Sequence, residues 1–124
     1  MLRFLWQGLL DRSTRLWRES LQLRVKMLGP SNPSVARAHS NLGATLARLK
    51  RYDEARAEYV QALAIEEALL DSSHPQVADT LNNLGNVLRD QGQLTRARDT
   101  LTRSLAIKES AYGGDSLPVA VTLS

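Results

Sequence analysis

The sequence predicts an all-α fold of stacked helical hairpins, and three observations lead to that prediction. A pattern of residues recurs at a spacing of 42, beginning with Pro33 and Pro75 and continuing with Val35 and Val77. Apolar residues within each copy follow helical spacing and not the alternation of a half-buried strand. Aromatic residues make up only 5% of the 124 residues, so the core must consist mostly of Leu, Ala and Val. Such a core suits packed helices.

The first helix of a copy is predicted to run from about Pro75 to Asp90. Its apolar residues lie four, three and four positions apart, on one helical face: Val77, Leu81, Leu84 and Leu88. Pro75 fits the first helical position, where its missing N–H costs no hydrogen bond, and Ser73 or His74 can cap the helix. Gly92 can adopt the left-handed conformation that ends it.

The second helix is predicted to run from about Thr95 to Ala111. Thr95 is its expected cap, and Asp53 and Asp11 hold the corresponding positions in the other copies. The residues expected to face inward are Ala97, Leu101 and Leu105. Because only short turns connect the helices, neighbouring helices are expected to run antiparallel.

The period divides a single domain into a partial unit at 1–31, full units at 32–73 and 74–115, and a partial unit at 116–124. Gln7-Gly8 matches Gln91-Gly92 at twice the period, which predicts a turn near the start of the chain. Near its end, Val119 and Leu123 match Val77 and Leu81.

Two glycines at equivalent positions, Gly43 and Gly85, lie in the middle of predicted first helices. Glycine in a helix interior costs roughly 1 kcal/mol relative to alanine. The recurrence of that cost predicts a close approach between helices, with Ala55 and Ala97 as the expected contacts.

The copies "HPQVADTLNNLGNVLRDQGQLTRARDTLTRSLAIKES" and "NPSVARAHSNLG" resemble the tetratricopeptide repeat, in the 42-residue form found in kinesin light chains. The resemblance implies a right-handed α-α superhelix, here with about two full repeats and partial repeats at both ends. The residues that carry the repeat signature are Asn41, Leu42, Gly43, Ala55, Asn83, Leu84, Gly85 and Ala97. Asn41 and Asn83 are expected to be structural.

The resemblance also implies a non-catalytic adaptor that binds a partner peptide or protein on the concave face formed by the first helices. The positions carried over to that groove are Arg37, Ser40, Ala44, Ala47, Arg48, Asp79, Asn82, Asn86, Arg89 and Asp90. An Asn amide can pair with a peptide backbone, and Arg can bind a carboxylate through two hydrogen bonds. A merely solvated face is the alternative.

Two other kinds of binding remain open. Exposed apolar residues at the ends of the stack predict self-association, docking into a larger assembly, or continuation into a longer array: Phe4, Trp6, Val119 and Leu123. The net charge is +3, while residues 1–26 alone hold six basic and two acidic side chains, or +4. That cluster could bind an anionic surface or nucleic acid, but a solvated basic face is favoured because aromatic residues are not interleaved with it.

No pattern in the sequence predicts catalysis, a metal site or a cofactor. The only histidines are His39, expected to be a partly buried core residue, and His74, expected to be a turn cap. The chain has no cysteine and no apolar run long enough to span a membrane, so an intracellular, cytoplasmic protein is expected, with targeting to an organelle through the Arg-rich N-terminus as the alternative.

Overall fold

The computed structural model describes residues 2–112, which form five α-helices and no strand. The helices are α1 Leu2–Leu28, α2 Pro33–Arg48, α3 Tyr52–Leu69, α4 Pro75–Asp90 and α5 Leu94–Tyr112. Each helix packs against the next one in the chain, and α2 also touches α4. The all-α fold and the hairpin arrangement of the full units are therefore confirmed. No helix among these residues combines the length and the hydropathy that a membrane crossing requires.

The first helices of the two full units, α2 and α4, begin in the same way. Asn32 Oδ1 accepts a hydrogen bond from the Ser34 N–H at 2.8 Å, and His74 Nδ1 accepts one from the Gln76 N–H at 3.1 Å. A proline follows each capping residue. Each cap accepts a hydrogen bond from one of the backbone N–H groups that the start of a helix leaves without a partner. The predicted start of α4 and its cap by His74 are confirmed.

The same two helices also end alike, although the residues differ. Gly92 takes the left-handed conformation after α4, with φ of 81°, as predicted. Lys50 takes it after α2, with φ of 63°, although it carries a side chain. The chain therefore turns at equivalent points in the two units. In the turn after α2, lysine tolerates the left-handed conformation less well than glycine does.

The predicted caps of the second helices are wrong. Asp53 lies in the first turn of α3, which begins at Tyr52, and Thr95 lies inside α5, which begins at Leu94. Only three residues separate the helices of each hairpin, so the second helix starts as soon as the chain has reversed. Asp53 near the helix start still interacts favourably with the helix dipole.

Helix α1 corrects the prediction for the start of the chain. Gly8 and Asp11, predicted as part of a turn and as a cap, both lie inside an uninterrupted helix. In the full units, packing between the two helices of a hairpin stabilises the reversal. Among the described residues no helix packs against residues 2–9, which are all exposed. Continuing the helix through one glycine costs only about 1 kcal/mol.

The largest core cluster lies where the two full hairpins meet. Leu42 and Leu46 of α2, Tyr59 of α3, and Leu84 and Leu88 of α4 are all buried in it. The predicted apolar stripe of α4 is buried throughout. This burial is what holds neighbouring hairpins together, because one hairpin leaves an apolar face uncovered.

One inward-facing prediction for α5 differs from the structure. Leu101 is half-buried and packs against Gly85 of α4, whereas Leu105 is exposed. The counterpart of Leu105 one unit earlier, Leu63, packs against clusters that contain residues of α4. Among the described residues no helix lies beyond α5, so Leu105 has no such neighbour.

The mid-helix glycines lie where helices approach closely, as predicted. A Cβ atom on Gly85 would lie 2.6 Å from Cγ of Leu101, and one on Gly43 would lie 3.1 Å from the ring of Tyr59. The expected contacts with alanines are wrong in detail, because the bulky residues at equivalent positions of the second helices fill the space. Ala97 contributes only its carbonyl oxygen, 3.5 Å from the Cβ position of Gly85.

Candidate partner-binding surface

The positions carried over to the groove lie along α2 and α4, which touch each other. We call them together the first-helix face. The α2 row is Arg37, Ser40, Ala44, Ala47 and Arg48, and the α4 row, at the same positions one unit later, is Asp79, Asn82, Asn86, Arg89 and Asp90. The charged residues in both rows are exposed, while the small and amide residues are half-buried.

Two asparagines occupy the centre of the first-helix face. Asn82 and Asn86 lie one helical turn apart, so their side chains are neighbours, with Cβ atoms about 5–6 Å apart. Neither amide makes a hydrogen bond to another side chain or to the backbone within residues 2–112. Ser40 and Ala44 hold the equivalent positions on α2 and are much smaller. The centre of the face therefore combines free amide groups on α4 with short side chains on α2.

Charges of opposite sign flank that centre. Arg37 and Arg48 lie on α2, and their Cα atoms are about 16 Å apart along the helix. The equivalent residues of α4 are Asp79 and Asp90. Asp79 pairs with Lys108 at 3.7 Å, whereas the two arginines form no ion pair among the described residues. The α2 row is thus basic, while the α4 row carries both signs, because Asp90 pairs with Arg89 at 3.9 Å.

The asparagines two positions before the mid-helix glycines lie on a different side of α2 and α4. Asn83 is exposed and Asn41 is half-buried. Neither side chain makes a hydrogen bond inside the described range. Their structural role stays a prediction.

The histidines both have local structural roles. His39 is half-buried, as predicted, and its Nδ1 lies 2.7 Å from Oε1 of Glu58 on α3. No pattern in the sequence indicated this partner, because Glu58 lies on the other helix of the hairpin. His74 caps α4.

Sequence reasoning missed a buried carboxyl group between the two full units. Glu66 of α3 is only 3% exposed, and its Oε1 accepts a hydrogen bond from Thr80 Oγ1 of α4 at 2.6 Å. Burial raises the pKa of Glu66, and hydrogen bonds from Thr80 and Gln76 partly oppose that effect. One signal was present: the equivalent positions Arg24 and Lys108 are also polar, so this position is not an ordinary core position.

The basic residues of α1 are partly engaged within the molecule. Arg18 pairs with Glu54 at 3.4 Å. Arg24 donates a hydrogen bond to the Ser34 carbonyl oxygen at 2.9 Å and lies 5.8 Å from the centre of the Trp17 ring. Arg12, Arg15 and Lys26 remain at the surface. The basic cluster is therefore not a continuous free surface.

The sequence predicted an exposed apolar surface at each end of the stack. Phe4 and Trp6 are exposed on α1, while Val119 and Leu123 lie outside the described residues. On α5 an open depression of about 390 Å³ is lined by apolar residues that include Leu94, Leu101 and Leu105.

The family model described as tetratricopeptide repeat matches residues 4–68, 34–110 and 76–124, so its overlapping matches span nearly the whole chain. This chain belongs to the tetratricopeptide repeat family. Members of the family generally mediate protein–protein interactions, and they are typically non-catalytic scaffolds. Among curated proteins, no sequence matches this tetratricopeptide chain significantly.

Solved structures show the same fold. The chain is similar to BtubC (BKLC) from P. vanneervenii, with a TM-score of 0.78 and 24% identity over 84% of this chain and 42% of that one. It is also similar to a protein of Podosopora anserina assigned to the kinesin light chains, which has nearly identical TPR-like repeats. The TM-score is 0.79 and the identity 20%, over 96% of this chain and 56% of that one. A point variant of the latter protein matches equally well. This tetratricopeptide chain thus spans about half the length of these relatives.

Proposed function

We propose that this tetratricopeptide chain is a non-catalytic interaction module that binds a partner peptide in extended form along the first-helix face. The observation that carries the proposal is the pair of half-buried amides on α4, Asn82 and Asn86, which have no hydrogen-bond partner within residues 2–112. A half-buried amide that lacks a partner is costly unless water or a ligand supplies one.

The chemistry of the face suits the backbone of a peptide. An Asn side chain offers both a donor and an acceptor, so it can pair with a peptide C=O and N–H together. Because Ala44 and Ala47 are small, a chain can approach α2 closely at this point. Arg37 and Arg48 then favour carboxylates of the partner on the α2 side, while Asp79 and Asp90 favour basic groups on the α4 side.

The test compares wild-type protein with the Asn82→Ala/Asn86→Ala variant. Peptides that bind wild-type protein are first selected from a random displayed library. Loss of two peptide-backbone contacts is expected to weaken their binding by about tenfold or more, because each hydrogen bond contributes roughly 0.5–1.5 kcal/mol. Isothermal titration measures the affinity, and thermal melting verifies that the variant is folded.

The matched control is Asn83→Ala, which removes the same side chain one position along α4, outside the face. It is expected to leave peptide affinity unchanged. Equal affinity of the selected peptides for wild-type protein and the double variant would place the binding site elsewhere. The cytoplasmic location expected from the sequence stays a prediction.

A further inference from the structure

Helix α1 carries an exposed apolar stripe with the spacing of a coiled coil. Its leucines recur every seven residues, and each is more than half exposed: Leu2, Leu9, Leu16 and Leu23. A second seven-residue series lies four positions after them: Trp6, Ser13, Ser20 and Met27. Alternating steps of four and three are those with which one helix packs along another. We call these eight residues the α1 seam.

In the next unit, the counterpart of the middle of this seam is covered by an antiparallel helix. Ser13 and Ser20 correspond to Ala55 and Ala62 of α3, which are 0% exposed because α2 packs against that side. On α1 the same side is uncovered among the described residues. The two serines are small, so they leave room for a helix to approach closely. The helix that fits here is one with an apolar stripe of its own.

We propose that a second copy of this chain supplies that helix, so that two α1 helices pair antiparallel along their seams. This surface is separate from the first-helix face. In the register that sets Ser13 opposite Leu16 of the second copy, a large side chain faces a small one at the centre of the seam. The contacts along the seam in this register are Ser13–Leu16, Ser20–Leu9, Trp6–Leu23 and Leu2–Met27.

The same register brings opposite charges together beside the seam. Arg12 and Glu19 follow Leu9 and Leu16 by three positions. They lie beside the seam, and both are exposed. In an antiparallel pair such flanking residues face each other, so Arg12 of each copy meets Glu19 of the other. Neither residue forms an ion pair within residues 2–112. Both line a depression of about 160 Å³ next to Leu16, close to the expected twofold axis.

A parallel pair would leave Arg12 without an acidic partner and would set Glu19 beside Arg24 of the second copy. Arg24 is already engaged within its own chain, by the hydrogen bond of 2.9 Å to the Ser34 carbonyl oxygen and by the Trp17 ring. Side-chain size and the pairing of Arg12 with Glu19 thus favour the antiparallel arrangement, while Arg3 of each copy lies near Arg24 of the other and opposes it.

Sedimentation equilibrium of the whole chain tests the proposal through a charge swap. The mass of wild-type protein is expected to rise with concentration from 13.8 kDa towards twice that value. Arg12→Glu and Glu19→Arg each turn two attractive pairs into repulsive ones, and each is expected to weaken dimerisation by about tenfold. The double variant Arg12→Glu/Glu19→Arg restores opposite charges and is expected to recover wild-type dimerisation.

The matched control is Arg96→Glu, which changes the net charge as Arg12→Glu does but lies on α5, away from the seam. It is expected to dimerise more tightly than Arg12→Glu. Three results would overturn the proposal: a strict monomer at every concentration, equal effects of Arg12→Glu and Arg96→Glu, or a double variant without recovery. The first is expected if another protein or a different segment covers the seam, and the last if the pairing is parallel. Melting curves at low concentration verify that each variant folds.

Introduced cysteines test the register directly, because the natural chain has none. In the proposed register Leu9 lies opposite Ser20 of the second copy, so Leu9→Cys/Ser20→Cys is expected to form covalent dimers under mild oxidation. The single variants Leu9→Cys and Ser20→Cys are expected to form few. Efficient cross-linking of a single variant would contradict this register.

Discussion

Glu66 shows how a single residue makes stability depend on pH. Burial raises its pKa in the folded chain, so between its ordinary value and that raised value the folded state holds more protons than the unfolded state. Stability therefore falls as pH rises through that interval. Glu66→Gln keeps an acceptor for Thr80 Oγ1 and removes the charge.

We predict that Glu66→Gln is more stable than wild-type protein at neutral pH and that the two converge in acid, below the ordinary pKa of a glutamate, about 4.3. Urea denaturation at a series of pH values measures this difference. Glu67→Gln, an exposed neighbour, controls for the change in net charge. A Glu66→Gln variant that is less stable at neutral pH would show that the ionised carboxylate is the stabilising form.

Gly85 is a residue whose missing side chain matters. Leucine at this position would overlap Leu101, whose Cγ lies 2.6 Å from the Cβ position. Overpacking of this kind costs typically about 1–3 kcal/mol, while leaving glycine gains at most about 1 kcal/mol of helix propensity. Gly85→Leu is therefore predicted to lower the Tm clearly. Gly8→Leu is the control, because nothing lies within 4 Å of its Cβ position, and it is predicted to leave the Tm unchanged or raise it.

At the scale of elements, the turns of the two hairpins have the same length but place different residues at the left-handed position. Lys50 and Gly92 both have positive φ, of 63° and 81°, and no atom lies near the Cβ position of Gly92. The left-handed conformation costs a residue with a side chain roughly 1–2 kcal/mol. Part of this is offset because a side chain restricts the unfolded chain.

Exchanging the two residues is predicted to have opposite effects on stability. Lys50→Gly is expected to stabilise the protein, and Gly92→Lys to destabilise it, each by about 0.5–1 kcal/mol. Chemical denaturation measures both. The double exchange is expected to be close to wild type. Destabilisation by Lys50→Gly would mean that the lysine side chain makes a stabilising contact.

The elements that the sequence predicted correctly are those in which local pattern and tertiary packing agree. Helix α4 has a capping residue, a proline, an apolar stripe and a terminal glycine, and its bounds are as expected. Around Gly8 the chain matches the stretch around Gly92 at the preceding glutamine and at the leucine two positions later, yet the helix continues. The difference is tertiary, since a turn is stable only where a second helix packs back. The partners of His39 and Glu66 could not be predicted for the same reason, because each lies on another helix.

On the scale of the whole molecule, stability should be graded along the stack. Each helix packs mainly on its neighbours in sequence, so inner helices are held on two sides and outer ones on one. Most residues of the buried clusters belong to α2, α3 and α4. Residues 2–9 of α1 are exposed throughout.

Hydrogen exchange of the monomer at low concentration is therefore predicted to be fastest in residues 2–9, slower in α5 and the second half of α1, and slowest in α2 to α4. The reason is that an amide exchanges through local opening, which costs least where few apolar contacts must be broken. Mass spectrometry of peptic fragments measures the order. Protection of residues 2–9 equal to that of α3, in a sample shown to be monomeric, would contradict the graded stack. Protection that appears in α1 only as concentration rises would instead follow from pairing along the α1 seam.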